Sequence, residues 1–495
     1  MSEEILITVS SNETRVGVVG KGLLQEVFIE RSDTRSTVGN IYKGKVVRIL
    51  PGMQSAFVDI GHAKAAFMHV TDLIDGHQVF DREPDSVSPA IADLIHDGQE
   101  LLVQVTKEPI GEKGARITTN LSMASRFLVY LPGSSHIGIS QRIEDEDERE
   151  RLRSVVESIS EGEEGFIVRT AAENAGTEEI EQDAGFLRNK WQLIREEGME
   201  ARSATVVYED LPLPLRVMRD IINHQTTRIL IDDEDTFEAI RRLLGDYIPD
   251  KLGCLERYPS DQVLFDLYQL EDQIEAALNR NTALKSGGYL IIDQTEAMTT
   301  VDVNTGAFVG RKDLEETIYR TNLEAASVIP RQLRLRNIGG IVIIDFIDMG
   351  NEEHKRQVLR MLEKGLQTDR VKCNVTQISE LGLVEMTRKR TYGSLLKTLC
   401  EPCSLCDGRG FIKSAESVCL EIFKNLQRKA KDVYRRECLI MASQAVVDQL
   451  IDEQAENVRE IARLLEISIS YRVDPGYTQE QYDIIVSTAT RAQAT

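Results

Sequence analysis

The sequence predicts a multi-domain protein that combines α/β with α+β architecture, and three observations predict it. The chain has 495 residues, more than a single hydrophobic core usually organises. Residues 287–348 hold two near-copies of a buried-strand pattern with a helical stretch between them. Residues 38–120 hold five short strand patterns separated by glycine turns, the kind of series that closes into a small barrel.

Composition narrows the function. Apolar residues make up 41% of the chain, enough for real cores. The net charge is −22 and the isoelectric point near 4.9, which argues against a general affinity for polyanions; any nucleic-acid surface is local. The N-terminus, Met1-Ser2-Glu3-Glu4, is acidic and no long apolar run follows, so neither a signal peptide nor a membrane span is expected. Seven cysteines in so long a chain point to thiols or metal in a reducing compartment, with the cytoplasm as the default location.

Taken in order, residues 5–9, 13–19 and 25–30 alternate as strands and form a hairpin layer for a domain completed later. In the barrel segment, residues 41–49 carry Lys43, Lys45 and Arg48 on a strand, Pro51-Gly52 turns the chain, and residues 55–61 and 64–70 follow. A less ordered stretch at 75–90 interrupts before strands at 101–107 and 115–119. Phe57 and Phe67 have the chemistry to stack bases beside those cations. From the pattern alone, one of the two is expected in the core and the other in function.

Residues 127–132 and 138–142 read as strands. Residues 144–164 are acidic and mostly helical, a solvated face. Residues 165–170 form a strand ending in Arg169-Thr170; this pair has phosphate-binding chemistry, but a surface salt bridge is the plainer reading. Residues 205–285 hold a strand and several helices, and Leu267, Leu270, Ile274 and Leu278 share a packing stripe over 265–278.

The two near-copies are Gly287-Gly288-Tyr289-Leu290-Ile291-Ile292-Asp293 and Gly339-Gly340-Ile341-Val342-Ile343-Ile344-Asp345. Each is a glycine pair, four apolar residues and an acid, which reads as a strand buried on both faces and ending in water. Between them, residues 297–306 alternate, so Asp302 and Asn304 share a face. A helix over 313–335 brings the chain back to set Asp345 beside Asp302. Carboxylates gathered at strand ends suit a hard cation such as Mg2+; aspartate as a turn former is the competing explanation. Spacing does not rank Asp293, Asp302, Asp345 and Asp348.

Asn351 caps the next helix, with Glu352 and Glu353 in its first turn and Val358, Leu362 and Leu366 on its buried face. Arg331, Arg334, Arg336 and the run from Arg388 to Arg390 make this half locally basic, as a polyanionic substrate requires. Cys400, Cys403 and Cys406 form two overlapping CxxC units followed by Gly408 and Gly410, resembling a zinc knuckle. Tetrahedral zinc takes four ligands, so either Cys419 or a second chain's thiols complete the set. A redox role ranks lower because no thioredoxin-like pattern surrounds the cysteines. A helix over 415–435 follows, then alternating strands and helices.

Together these motifs, in this order, resemble the ribonuclease E/G family. The resemblance covers nearly the whole chain and is densest from Leu284 to Gly306 and from Gly382 to Arg390. It implies a deoxyribonuclease I-like catalytic domain over 279–399 and a ribonuclease H-like domain assembled from 1–37 and 210–278. An OB-fold RNA-binding domain (38–120) and a 5′-sensor region (121–209) are inserted between those pieces. A zinc link (400–410) leads to a small C-terminal domain (411–495).

The same resemblance implies that Asp302 and Asp345 hold catalytic Mg2+ with Asn304 assisting, while Asp293 is structural. It implies that Arg169 and Thr170 read an RNA 5′-monophosphate, and that Phe57, Phe67 and Lys113 help the barrel hold RNA. Cys403 and Cys406 of each protomer would share a Zn2+ across a homodimer. Where the family often has proline after its first zinc ligand, Ser404 stands here, and Cys400 lies outside the usual pair.

The implied function is a single-strand-specific, Mg2+-dependent endoribonuclease leaving 3′-hydroxyl and 5′-phosphate ends. Its expected roles are 5′-end maturation of small-subunit ribosomal RNA and mRNA decay. The rivals are the catalytic half of the family's longer member, ribonuclease E, which continues into a disordered scaffold where this chain stops, and a non-catalytic RNA-binding dimer linked by zinc.

Overall fold

A computed structural model of the chain describes residues 2–73, 90–109, 114–162, 164–259, 262–306, 314–379, 381–390, 393–429, 433 and 436–486. The chain divides into two compact units, Met1–Thr398 and Leu399–Thr495.

Among the described residues, four sheets build the first unit. The N-terminal strands Glu3–Val9, Glu13–Gly20 and Leu23–Arg31 form an antiparallel meander. Thr226–Ile231 then joins Glu3–Val9 in parallel, and Leu255–Arg257 extends the edge. Alternation turns Ile5, Ile7, Val16 and Val18 inward, where Val217 and Met218 of helix Leu213–Ile221 and Ile240 and Leu244 of helix Glu234–Tyr247 cover them.

Among the described residues, five strands between Ile41 and Thr118 close into a barrel, because Ile41–Leu50 pairs with both Ser55–Asp59 and Glu100–Lys107. Ala66–His69 and Arg116–Thr118 complete the ring, and Thr205–Tyr208 adds to it from outside. Gly44 makes the closure possible: a Cβ there would lie 2.6 Å from Val58 Cγ1 and 3.1 Å from Val103 Cγ2. The expected irregular stretch at 75–90 falls almost wholly outside the described residues.

A third sheet, ordered Ile137–Ile139, Glu164–Val168, Leu128–Pro132, Met123–Ala124, packs against helices Glu146–Ile159 and Thr177–Glu200. Within Glu146–Ile159, Leu152 and Val156 are buried, so the acidic helix presents one apolar stripe and solvates the rest.

The fourth sheet carries the candidate site. Its order is Asn281–Ala283, Tyr289–Gln294, Met298–Asn304, Gly340–Asp345, Leu383–Arg388, Cys373–Ile378. Helices Leu314–Leu335 and Glu352–Leu366 cover one face with Ala325, Ile329, Leu333, Val358 and Leu362. They pack closely: a Cβ on Gly365 would meet Pro330 Cγ at 2.7 Å.

The second unit is a three-stranded sheet, Ser468–Val473 beside Glu437–Ala442 beside Tyr482–Val486, with helices Ala415–Arg428, Gln444–Ile451 and Ala455–Leu464. Its core includes Ile422, Phe423, Ile440 and Val446.

Two expected helices change. The stripe over 265–278 is broken: Gln269 adopts a left-handed conformation (φ 52°) between helices Leu264–Leu267 and Leu270–Leu278. Leu267 therefore rotates off the stripe and is 54% exposed. The helix expected to Arg435 ends at Arg428. Among the described residues no helix is long and apolar enough to cross a membrane.

Candidate active site

Strand register decides the acidic cluster. Met298–Asn304 runs parallel to Gly340–Asp345, with Asp302 directly opposite Asp345. Neighbouring strands lie about 4.8 Å apart, and facing residues project from the same side. Val301 and Val303 point into the core, so Asp302 and Asn304 stand on the open face; Val342 and Ile344 place Asp345 there likewise. Asn304 donates from Nδ2 to Asp302 Oδ2 at 2.9 Å, which holds that carboxylate in one orientation.

Asp345 sits above the usual carboxyl range. Partial burial raises it first, and the charges of Asp302 and Asp348 add to the effect. Among the described residues no lysine or arginine is drawn in an ion pair with Asp302, Asp345 or Asp348. Uncompensated like charge at adjacent strand ends is a donor set that accepts a hard divalent cation. No group of three His, Cys, Asp or Glu side chains gathers as a cage among the described residues. Mg2+ fits such a place, since it is commonly held by one or two carboxylates and keeps its waters.

The apparent symmetry of the two glycine patterns dissolves. Asp293 lies opposite Thr300, away from the Asp302–Asp345 end, and forms a bidentate pair with Arg280, one arm of which is 2.5 Å. The glycines serve different neighbours. A Cβ on Gly288 would lie 2.6 Å from the carbonyl oxygen of Asn304, whereas one on Gly339 would strike Arg390 at 2.9 Å.

Sequence reasoning missed Asn322. It is fully buried in helix Leu314–Leu335, where it donates to Ile347 O at 2.7 Å and accepts from Ile347 N at 3.1 Å. This pins the loop between Asp345 and Asp348. The available signal was a run of polar residues, Thr317, Thr321 and Asn322, on the helix's buried side.

The expected basic cluster is not a polyanion surface. Arg336 is buried and donates to Asn279 O, Thr282 Oγ1 and Gln332 Oε1 at 2.8–2.9 Å. Arg388 is buried against Asp369 at 2.8 Å. Arg331 reaches Leu24 O, and Arg334 reaches Thr368 and Gln25. These guanidiniums satisfy interior carbonyls and side chains. Only Lys389 and Arg390 of that group remain exposed, joined by Lys372 on the next strand.

On the barrel, Phe57 faces Phe67 across antiparallel strands, ring centroids 6.1 Å apart at 67°. Both are half-buried and neither belongs to the barrel core, so the expectation that one was core does not hold. Directly paired residues share a side, so both face outward. Register extends the row to Arg48 on one flank and Arg116 on the other. Lys45 is exposed, but Lys43 is tied to Ala201 O at 2.9 Å and to Glu100. Lys113 lies outside the described residues.

Arg169, just past strand Glu164–Val168, is bound to Asp220 at 2.6 Å and to Ser125 O, and Thr170 Oγ1 lies 2.9 Å from Ser140 Oγ. Burial pulls the Asp220 carboxyl up, but Arg219 and Arg169 overcome it and hold it below the usual range. Arg169 is therefore prepositioned by a carboxylate that an incoming anion would have to displace.

Cys403 is exposed, and its thiol is lowered by the backbone N–H of Cys406 and then that of Leu405. Gly410 N donates to Cys406 Sγ at 3.4 Å, with Asp407, Gly408 and Gly410 all left-handed around it. Two thiols within one turn fit half of a tetrahedral site. Cys419 does not complete it: it is fully buried, donates to Val446 O at 3.7 Å, and its thiol is pushed up to about 11 by burial. Cys400 is exposed and outside any three-residue cluster of the described residues.

A family model described as the ribonuclease E/G family matches residues 122–391, and one described as RNase E/G, thioredoxin-like domain matches 402–488. The second match overturns the ground on which a redox role was ranked low, namely that nothing thioredoxin-like surrounds the cysteines. The chain is 47% identical over 488 residues to ribonuclease G of Escherichia coli (strain K12), covering 98% of this chain and 100% of that one. Against ribonuclease G of Haemophilus influenzae the identity is 45% over 486 residues, covering 98% and 99%. Against ribonuclease E of Escherichia coli (strain K12) it is 34% over 466 residues, covering 93% of this chain and 44% of that one.

Proposed function

Because the chain belongs to the ribonuclease E/G family, we propose that it is an endoribonuclease of the ribonuclease G kind, cutting single-stranded RNA with Mg2+ at Asp302 and Asp345. The observation that carries this reading is the pairing of those two carboxylates in register on an open sheet face. The higher identity to ribonuclease G than to ribonuclease E favours the first over the second.

A bound Mg2+ supplies an activated water and a counter-charge for phosphate oxygens. Asp302 and Asp345 hold the cation at the strand ends, Asn304 fixes the Asp302 carboxylate, and Asn322 holds the loop beyond Asp345. The products are a 3′-hydroxyl and a 5′-phosphate. Phe57 and Phe67, with Lys113, hold RNA on the barrel, read here as an OB fold. The sheet of residues 281–388 corresponds to the family's deoxyribonuclease I-like domain and the N-terminal sheet to its ribonuclease H-like domain. The cellular roles that follow are 5′-end maturation of small-subunit ribosomal RNA and mRNA decay in the cytoplasm.

Arg169 and Thr170 read a terminal phosphate, which takes the place of Asp220 on the guanidinium. A short single-stranded RNA with a 5′-monophosphate is expected to be cut with Mg2+ and left intact in EDTA. The same RNA with a 5′-hydroxyl should be cut about tenfold more slowly, a difference that one charge-assisted contact can supply. Cleavage in EDTA would remove the metal from the mechanism, and equal rates on the two RNAs would remove Arg169 from sensing.

Cys403 and Cys406 of two protomers share a Zn2+ in a homodimer. Cys403→Ser is expected to shift the mass in light scattering from dimer to monomer; a dimer of unchanged mass would contradict the shared site.

A further inference from the structure

The open face of the catalytic sheet carries more than its two aspartates. Moving back along the strands from Asp302 and Asp345, register sets Thr300 beside Ile343, and then Met298 beside Ile341. Ile341 continues to Thr387 and Asn374 on the next two strands. Beyond them stand Lys389 and Lys372, joined by a backbone hydrogen bond. Met298 is 38% and Ile341 47% exposed, an apolar pair on neighbouring strands facing water. Single exposed apolar side chains are ordinary on protein surfaces; here the two are neighbours in register, and Ile341 opens onto a shallow cleft of about 460 Å³ that Lys372, Asn374, Thr387 and Lys389 also line.

Charge selects what lies there. Lysines stand at one end of the face and carboxylates at the other. In the row between, Asp293 and Glu385 flank Thr300 and Ile343. Asp293 is already neutralised by Arg280, so it is the exposed Glu385 that disfavours a phosphate over this row, while the apolar pair next to it accepts the flat face of a base. Each row is two residues, about 6.6 Å of strand, close to the reach of one extended nucleotide. Lys372 also donates to Gln141 Oε1 at 3.1 Å, next in sequence to Ser140, the partner of Thr170.

From this placement we propose that Met298 and Ile341 form a base-binding subsite for single-stranded RNA, two nucleotides from the cleaved linkage, with Lys372 and Lys389 holding the adjoining phosphates. The subsite rests on the ribonuclease reading and adds a place on the enzyme where the substrate's bases are gripped without sequence preference.

The test scans a single-stranded RNA having one cut site with an abasic nucleotide at each position in turn. With the wild-type protein, removing the base two nucleotides from the cut on one side is expected to raise KM about five- to tenfold with kcat within twofold, since the lost contact is uniform binding. In the Met298→Ser/Ile341→Ser variant the intact RNA should show that same KM, and the abasic nucleotide should have no further effect. Both side chains are exposed, so the variant should keep the wild-type melting temperature. A variant that retained the full abasic penalty would overturn the subsite, as would a wild-type protein with no penalty at that position. Unchanged RNA kinetics with a smaller native mass would also overturn it, assigning the face to a second copy of the chain. Equilibrium binding of the same RNAs without Mg2+ reads the abasic penalty independently of cleavage. Loss of cutting with an intact penalty would thus sink the ribonuclease reading and leave the subsite standing.

Discussion

Asp345→Asn should lower RNA cleavage at saturating Mg2+ at least about a thousandfold, or ~4 kcal/mol of transition-state stabilisation, while RNA affinity changes less than threefold. The carboxylate is isosteric with the amide, so the fold has no reason to change; what is lost is one of two charges facing each other across Met298–Asn304 and Gly340–Asp345. The same variant should melt higher than the parent when no divalent cation is present. Partial burial and the charges of Asp302 and Asp348 raise the Asp345 carboxyl in the folded chain. A group with a raised folded value contributes stability that is complete below its unfolded value and lost as pH rises through the folded one. Without divalent cation the parent should therefore lose stability as pH rises from below the ordinary carboxyl value through the raised folded one, and Asp345→Asn should lose less. Single-turnover cleavage, RNA binding and melting curves across that pH range check all three. Parental turnover by the variant under Mg2+ would end the metal assignment.

Asp369→Ala should destabilise the first unit by roughly 3–5 kcal/mol, the scale for stranding one member of a buried ion pair. Asp369 and Arg388 are almost fully buried, 2.8 and 3.2 Å apart at their two contacts, and Arg388 also donates to Ile338 O at 2.8 Å. Asp369 further accepts from Val371 N at 2.9 Å, and its main-chain carbonyl accepts from Arg142 at 2.7 Å. Removing the carboxylate leaves a guanidinium with no route to water. The double variant Asp369→Leu/Arg388→Met should recover most of the loss, because an apolar pair of similar volume avoids the desolvation of both charges. Urea unfolding followed by circular dichroism distinguishes the outcomes. Equal losses in the single and double variants would mean that the pair itself stabilises the fold.

The glycine–apolar–acid runs were legible as strands because a short apolar run between glycines and an acid is a local signal; the expected burial on both faces fails, because helices cover only one face and leave Ile341 47% exposed on the other. The equivalence they implied between Asp293 and Asp345 was not real. Which acid stands beside Asp345 depends on strand order and register, and these come from packing Val301, Val303, Val342 and Ile344 under two helices. Arg336 and Arg388 misled for a similar reason. A charge in sequence looks solvated, yet here carbonyls and Asp369 await it in the interior. Phe57 and Phe67 stood out in the sequence as aromatics beside cations, but their shared outward side came only from antiparallel pairing.

By itself, the sequence determined much of the local order of this protein: most strands and helices, the closed barrel's five segments, the close spacing of three cysteines and the kinship that the motifs carry. These follow from propensity, period and spacing, which act over a few residues. The resemblance already named Asp302 and Asp345; tertiary structure alone set them opposite each other in register, pinned the intervening loop on Asn322, placed Cys419 in the core, and turned Met298 and Ile341 to water together. Each is a relation between residues distant in the chain, set by the burial of whole sheet faces rather than by any neighbouring side chain.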